Sequence, residues 1–433
     1  MLTLPSPKHL MLPVLLAGLS LLAACGGGGG ETSADRRTDQ PTVTILGVVI
    51  GEQQDKLEAA LAPFEAETGI DVVYEGTDAF ATLLPVRVAA NNAPDIAMFP
   101  QPGLLADFAR SGDLIPLNQF IDRDVLTSAY SQDWIDLGSV DGESYGIWYR
   151  ASVKSLVWYS PPAFDAAGYD IPSSWDELIA LSDRIVADGR VPWCLGMESG
   201  SSTGWVGTDW IEDIMLRTAG AETYDRWVVN ELPFDSPEVK AAFEQFGNIA
   251  LNPDYVVGGT VGAISIPFGD SPNGLFSEPP QCYLHRQANF IASFFPKDVV
   301  LGEDVAIFPL PPIDRANGLP VLVAGDAFAA LNDTPETEAL MNYLVTTQPH
   351  EIWAGLGGFI SPYSQVSLDV YPNAIARQQA EILANAETVR FDGSDMMPGA
   401  VGTGSFWAGV TDYVGGTPLD IVLSNIQASW PQE

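Results

Sequence analysis

The chain has 433 residues, a hydrophobic fraction of 46%, and 56 Asp plus Glu against 19 Lys plus Arg, a formal charge of −37. Such a surface repels nucleic acid and phosphate-rich polymers, with no Lys/Arg cluster to override the repulsion; it suits solubility or a salty setting and leaves neutral ligands unaffected. The length suits one large bilobal unit or two to three ordinary domains with ample core.

At the start, Lys8 and His9 precede an almost unbroken apolar run from Leu10 to Ala24. About fifteen residues are too few for a membrane-spanning helix and read as a signal peptide. In "LLAACGGGGG" (21–30), the tetrad Leu22-Ala23-Ala24-Cys25 resembles the bacterial lipobox. That resemblance implies a lipoprotein signal peptide over residues 1–24 and an acylated Cys25 that anchors the protein to a membrane; an ordinary secretory signal with an incidental cysteine is the alternative. Residues 25–40 have almost no apolar side chain and are expected to form a flexible tether. No second run of eighteen or more apolar residues follows.

The folded part opens with a β-branched strand, "TVTILGVV" (42–49). Leu57, Leu61 and Phe64 then fall at helical spacing, Gly69 is placed to cap the helix, and Ile70 to Tyr74 returns to strand. A helix over about Ala79 to Ala90 leads into a short strand in "APDIAMFP" (93–100). Strands alternating with helices predict an α/β fold whose mainly parallel sheet opens its ligand crevice at the carboxyl ends of the strands. "ESYGIWYRASVKSLVWYS" (143–160) reads as a long strand-like passage able to cross between lobes. Helices are predicted after a Ser173 or Ser174 cap, from Thr208 to Gly220 and from Asp235 to Ala250. Strand character returns at Asp304 to Leu310 and Leu319 to Leu331, Pro335 starts another helix, and Arg377 to Trp430 is mostly helical in pattern.

With Cys25 assigned to lipid, Cys194 and Cys282 remain in an exported chain. They read as one disulfide, worth roughly 3–4 kcal/mol on the chain-entropy model, or as two separate buried thiols.

Taken together, the lipobox, the opening "TILGVVIGEQQDKLEAALAPFEAETGIDV", "APDIAM", "LVWYSPPAFDAAGYDIPSSWDEL", "VAGDAFAAL" and "GSFWAGV" resemble the extracellular solute-binding proteins of carbohydrate ABC importers, the maltose-binding-like group. "PWCLGMESGSSTGWVGTDWIEDIMLR" and "PPQCYLHRQANFI" look like its α-glucoside-binding branch, which takes sugars such as trehalose, sucrose and maltose. The resemblance implies a two-lobed, periplasmic-binding-protein-like (type II) α/β fold with hinge-linked lobes, lobe 1 over 41–149 and 319–358 and lobe 2 over 150–318 and 359–433. It implies a monomer outside the cytosol that binds a neutral sugar and hands it to the transmembrane subunits of an ABC permease, with no cofactor.

Sugar recognition needs flat apolar faces for pyranose rings and polar groups for hydroxyls. Trp407 in "GTGSFWAGV" lies in a segment that presents an aromatic to the sugar in this family, or is a core tryptophan. Trp205 and Asp209 in "TGWVGTDW" are placed to face the cleft together, or Asp209 merely helps a helix start. Asp326 follows an apolar strand, where an unpaired carboxylate is costly without a partner. Asp95, Phe99 and Gln101 belong to a turn that contacts sugar in family members, though Asp95 is equally suited to capping backbone. Glu52 and Gln53 start the first helix. Trp148 and Tyr149 line the cleft floor or pack the hinge, and Phe268, Asp270 and Phe359 complete the set.

Enzyme readings fare worse. "GSSTG" (200–204) matches a nucleophile elbow around Ser202, with His285 downstream, but a broken strand precedes it and Trp205-Val206-Gly207 continues as loop. His285 and His350 stand alone, with no metal-ligand spacing. A secreted carbohydrate-active hydrolase using paired carboxylates and a surface sugar sensor remain the alternatives.

Overall fold

The computed structural model describes residues 40–77 and 79–431. The signal peptide, Cys25 and the tether as far as residue 39 lie outside the described residues. The strands are β1 (Thr42–Gly47), β2 (Asp71–Gly76), β3 (Ile96–Phe99), β4 (Ser139–Val140), β5 (Glu143–Ser144), β6 (Ile147–Val153), β7 (Leu156–Tyr159), β8 (Leu284–Arg286), β9 (Ala306–Pro309), β10 (Val321–Ala330) and β11 (Val389–Phe391).

The larger sheet runs β11-β10-β3-β1-β2, with β6 also on β10. β1 pairs parallel with both β2 and β3 because the helices Glu52–Thr68 and Phe80–Ala89 carry the chain back across the sheet. The first of these buries Leu57, Ala60, Leu61 and Phe64 and stops at Gly69, whose φ of 72° is the left-handed cap predicted. All four residues of β3 are buried, as a strand covered on both faces requires.

The predicted strand over 143–160 is interrupted, and the interruption is where the chain changes sheets. β6 pairs antiparallel with β10, whereas β7 lies between β8 and β9 in a second, antiparallel sheet. A second core surrounds that sheet, built on the helices Trp175–Ala187, Trp205–Ala219 and Pro237–Ala250. Residues 359–391 contribute Phe359, Tyr371 and Phe391 to the core of the larger sheet. They were predicted to belong to lobe 2, but the parallel pairing of β11 with β10 draws them to the first sheet.

The helix predicted from Thr208 starts three residues earlier, at Trp205, after Gly204 with φ 115°. Only glycine suits that position. Its φ is positive, and a Cβ there would overlap the Trp407 carbonyl. From Val206 to Arg217 this helix is buried on every side, so its polar residues need partners inside the protein.

Cys194 and Cys282 form a disulfide with Cα atoms 5.4 Å apart, closing a separation of 88 residues. Replacing both by serine is expected to lower unfolding free energy by about 4 kcal/mol in urea titrations; an unchanged midpoint would show that the bridge constrains little.

His350 is buried against Tyr149 and Tyr363, ring centroids 4.5 and 4.8 Å away. Its Nε2–H donates to the Leu344 carbonyl at 3.0 Å, which leaves Nδ1 to accept the Ser361 hydroxyl at 2.8 Å. Burial depresses its pKa to about 3. The unfolded chain therefore takes up this proton first, and the histidine's contribution to stability falls as pH drops below about 6.5. His350→Gln should lose less stability than the parent on acidification from about pH 7 to about pH 5, the difference growing by about 1.4 kcal/mol per unit below 6.5. Equal losses in paired thermal melts would place the acid sensitivity elsewhere.

Candidate functional site

At the carboxyl ends of the larger sheet, three polar side chains meet. The β6–β10 register sets Arg150 opposite Asp326, and Arg150 Nε lies 2.5 Å from Asp326 Oδ2. Arg150 Nη1 also donates to Gln53 Oε1 at the start of the Glu52–Thr68 helix. Asp326 is thus not unpaired. Burial raises its pKa and Arg150 pulls it back. Gln53 Nε2 reaches Ser293 Oγ, 3.4 Å away on the segment after β8, so this polar group touches both halves of the fold. Gln101 follows β3 and occupies the N-cap position of the Pro102–Ser111 helix without a side-chain capping bond, whereas Glu52 is exposed and pairs with Lys56 at 3.0 Å. Arg150 was missed in the sequence, although a lone cation in the apolar passage "IWYRASV" was its signal.

An aromatic group stands on the side of the second core. Trp205, half-buried, packs against Phe268 at 5.2 Å and Phe290 at 5.9 Å, and Phe268 packs against Phe294 at 5.1 Å. Trp407, also half-buried, follows a π-helical turn at Ala400–Phe406, a distortion common at functional sites. The close approach of Gly204 to the Trp407 backbone makes the two indole-bearing residues neighbours. Their ring faces, together with Phe268, provide apolar planes that are neither lost in a core nor fully in water. Phe290 is a further residue that sequence reasoning missed; it lay within "RQANFI" without any motif to mark it.

Beneath the indoles lies a buried ionic group. Lys154 Nζ is 2.7 Å from Asp209 Oδ1, also bonds Asp392 Oδ2, and sits 5.6 Å from the Trp205 ring centroid. Asp209, predicted to face the cleft, is instead fully buried because Lys154 and Arg286 draw it inward. Burial pushes Asp209 up to about 7 against the pull of Lys154, while Lys154 overcomes burial to hold Asp392 down at about 2. Burial alone would depress Lys154, but the two aspartates carry it above its usual range. Glu212 accepts from the Gly393 and Ser394 N–H groups at 3.0 and 2.9 Å; burial, with Asp392 and Asp209 nearby, pushes it well up.

Half-buried Asp395 is likewise pushed well up by burial and by Asp392, with Lys154 opposing and Asp209 and Asp326 adding to the rise. Its backbone N–H donates to Asp392 Oδ1 at 3.0 Å, which sets it beside the Lys154 group. Asp209, Glu212 and Asp392 bring carboxylate oxygens within 4.8 Å of one another, a spacing able to hold a cation. The Lys154 ammonium already fills that role, so this residue set does not call for a metal.

Several predicted residues lie elsewhere. Asp95 Oδ2 accepts from the Thr44 N–H at 2.8 Å and the Thr44 hydroxyl at 2.7 Å, capping backbone at the amino end of β3. Phe99 is in the core between Phe80 and Phe108. Trp148 packs on Trp134 and Phe391, Tyr149 donates to the Pro349 carbonyl, and Phe359 stacks on Trp353; all three are buried. Asp270 is exposed.

A cavity of about 890 Å³ includes none of the predicted site residues; Trp134, Tyr224, Tyr363, Tyr371 and Phe391 are among its lining. Its arginines pair with its own aspartates, Arg390 with Asp225 at 2.6 Å and Arg110 with Asp107 at 3.7 Å. Volume alone favours this cavity, but the convergence of ring faces and polar groups favours the Trp205–Trp407 region.

A family model of bacterial extracellular solute-binding proteins matches residues 50–351. The osmoprotective compounds-binding protein GgtB of Synechocystis sp. (strain ATCC 27184 / PCC 6803 / Kazusa) is 56% identical over 425 residues, 98% of this chain and 100% of that protein. The alpha-glucosides-binding periplasmic protein AglE of Rhizobium meliloti (strain 1021) is 44% identical over 397 residues, 90% of this chain and 87% of that one. Among solved structures, the bacterial solute receptor AcbH superposes with a TM-score of 0.77 at 18% identity, covering 90% of this chain and 97% of that chain, a likeness of fold: the two-lobed type II architecture. The chain belongs to the bacterial extracellular solute-binding proteins.

Proposed function

We propose that this protein is the capture subunit of an ABC importer for a small neutral α-glucoside of the osmoprotective kind, anchored outside the cytosol through acylated Cys25. The observation that carries the reading is the set of half-buried rings, Trp205, Phe268, Phe290 and Trp407, with Gln53, itself bonded to Arg150, reaching Ser293 three residues beyond Phe290. Pyranose rings stack on such planes while their hydroxyls need donors and acceptors in fixed positions. The names of the two relatives, one for osmoprotective compounds and one for alpha-glucosides, support the same ligand class. A charge of −37 leaves capture of an uncharged solute unaffected. Among the described residues no helix is long and apolar enough to cross a membrane.

Lobe 1 then comprises 41–149 and 319–358, joined by 359–391, and lobe 2 comprises 150–318 and 392–433. Sugar touches both lobes only when they close, so its differential affinity shifts the population to the closed form, which the permease reads. The relatives are binding proteins rather than enzymes. Incubation with trehalose or maltose should release no glucose while shifting intrinsic tryptophan fluorescence; glucose release would favour a hydrolase.

Calorimetric titration with trehalose, sucrose and maltose should give saturable heat with at least one of them, and silence with all three would overturn the ligand class. Trp407→Ala should weaken binding by about tenfold or more, the loss of roughly 1.4 kcal/mol or more of stacking, with little change in melting temperature. An unchanged affinity would remove Trp407 from the site.

A further inference from the structure

The proposed ligand site uses two tryptophans that stand on different segments, one opening the Trp205–Ala219 helix and one opening the Trp407–Val414 helix. Something must fix one ring relative to the other. Lys154 connects to both. Its ammonium lies over the Trp205 ring at 5.6 Å and bonds Asp392; Asp392 Oδ1 accepts the Ser394 hydroxyl at 2.7 Å, and Ser394 Oγ accepts from Trp407 Nε1 at 3.4 Å. Asp209, one turn into the first helix, holds the ammonium from the other side at 2.7 Å. Lys154 itself is positioned by the backbone, its N–H donating to the Leu322 carbonyl at 2.8 Å where β6 gives way to β7.

We propose that Lys154 is a positioning residue for ligand capture: its buried ammonium, shared by Asp209 and Asp392, sets the Trp205 ring directly and the Trp407 ring through Asp392 and Ser394. The inference rests on the reading that these two indoles grip the ligand. It differs from a role in stability, because a buried ion pair contributes little net stability over neutral groups of the same shape, while it does fix where its partners stand. A neutral replacement therefore leaves the fold and loosens the rings. Small displacements matter here, since a stacking plane moved by about 1 Å loses much of its dispersion contact.

The test compares five variants with the parent, each titrated with trehalose and sucrose and melted in parallel. Lys154→Met combined with Asp209→Asn and Asp392→Asn removes the ammonium together with both carboxylates that hold it, and Arg286, which also faces Asp209, keeps Asp213 at 2.8 Å. Ser394→Ala removes the hydroxyl that joins Asp392 to Trp407, and with it the 3.3 Å contact to the Thr208 hydroxyl, while leaving the Lys154 ion pairs in place. Trp205→Ala and Trp407→Ala, made separately, report on the site itself. The triple variant should keep its melting temperature within a few degrees and lose about tenfold or more in affinity, and Ser394→Ala should lose about threefold or more. Combining Ser394→Ala with Trp407→Ala should add no further loss, a non-additivity that a merely structural serine would not produce. If the tryptophan variants bind poorly while the triple variant and Ser394→Ala bind like the parent, the Lys154 proposal is wrong and the site reading stands. If the tryptophan variants bind like the parent, the site reading fails. Should the triple variant not fold, Ser394→Ala and its cycle decide the question alone.

Discussion

A charge removed from water has to be matched where it stands, and in this protein that requirement is concentrated on one helix. Trp205–Ala219 is buried along nearly its whole length yet carries Asp209, Glu212, Asp213 and Arg217. Their partners are the segments by which the chain passes from one sheet to the other. Asp209 takes Lys154, and Asp213 takes the Ser155 hydroxyl at 2.8 Å, both at the β6–β7 passage. Arg217 donates to the carbonyls of Leu310, Pro311 and Pro320 between β9 and β10. Glu212 accepts two N–H groups just after β11. Breaking such a pair leaves an uncompensated buried charge, at a cost of about 3–5 kcal/mol, so the passages are held together at the base of the second core.

The position of the proposed ligand site follows from that anchorage. The same helix that grips the passages presents Trp205 at its first residue, where Gly204 allows it to approach the Trp407 backbone. On the opposite side, the β6–β10 register delivers Arg150 to Asp326 and, through Gln53, to the first helix. Apolar planes thus come from one half of the fold and a polar floor from the other, the division of labour that the proposed lobe closure requires.

Much of this was legible in the sequence, and the reason differs by residue. Helical spacing and Gly69 fixed the first helix, and alternation of strand and helix identified the parallel β1, β2 and β3. Trp205 and Trp407 stood out as candidates because each lies in a glycine-rich stretch, where backbone can approach closely. Charge partnerships were not legible. Asp209 and Asp326 looked like cleft carboxylates because their partners, Lys154 and Arg150, are 55 and 176 positions away, and local pattern carries no information about such contacts. The interruption between β6 and β7 was hidden for a related reason: two apolar strands in succession read as one, and only their different sheets separate them. Asp95 was a fair candidate by position, but it precedes its strand and so lies at the end away from the crevice.

The central claim is that an uncharged sugar is held between the indoles of Trp205 and Trp407 and the Arg150–Gln53 floor. A crystal structure grown with trehalose or sucrose tests it most directly. The account predicts a pyranose ring stacked on at least one of these indoles with a hydroxyl bonded to Arg150, Gln53 or Asp395. Sugar found instead in the 890 Å³ cavity beside Tyr224 and Phe391 would contradict it.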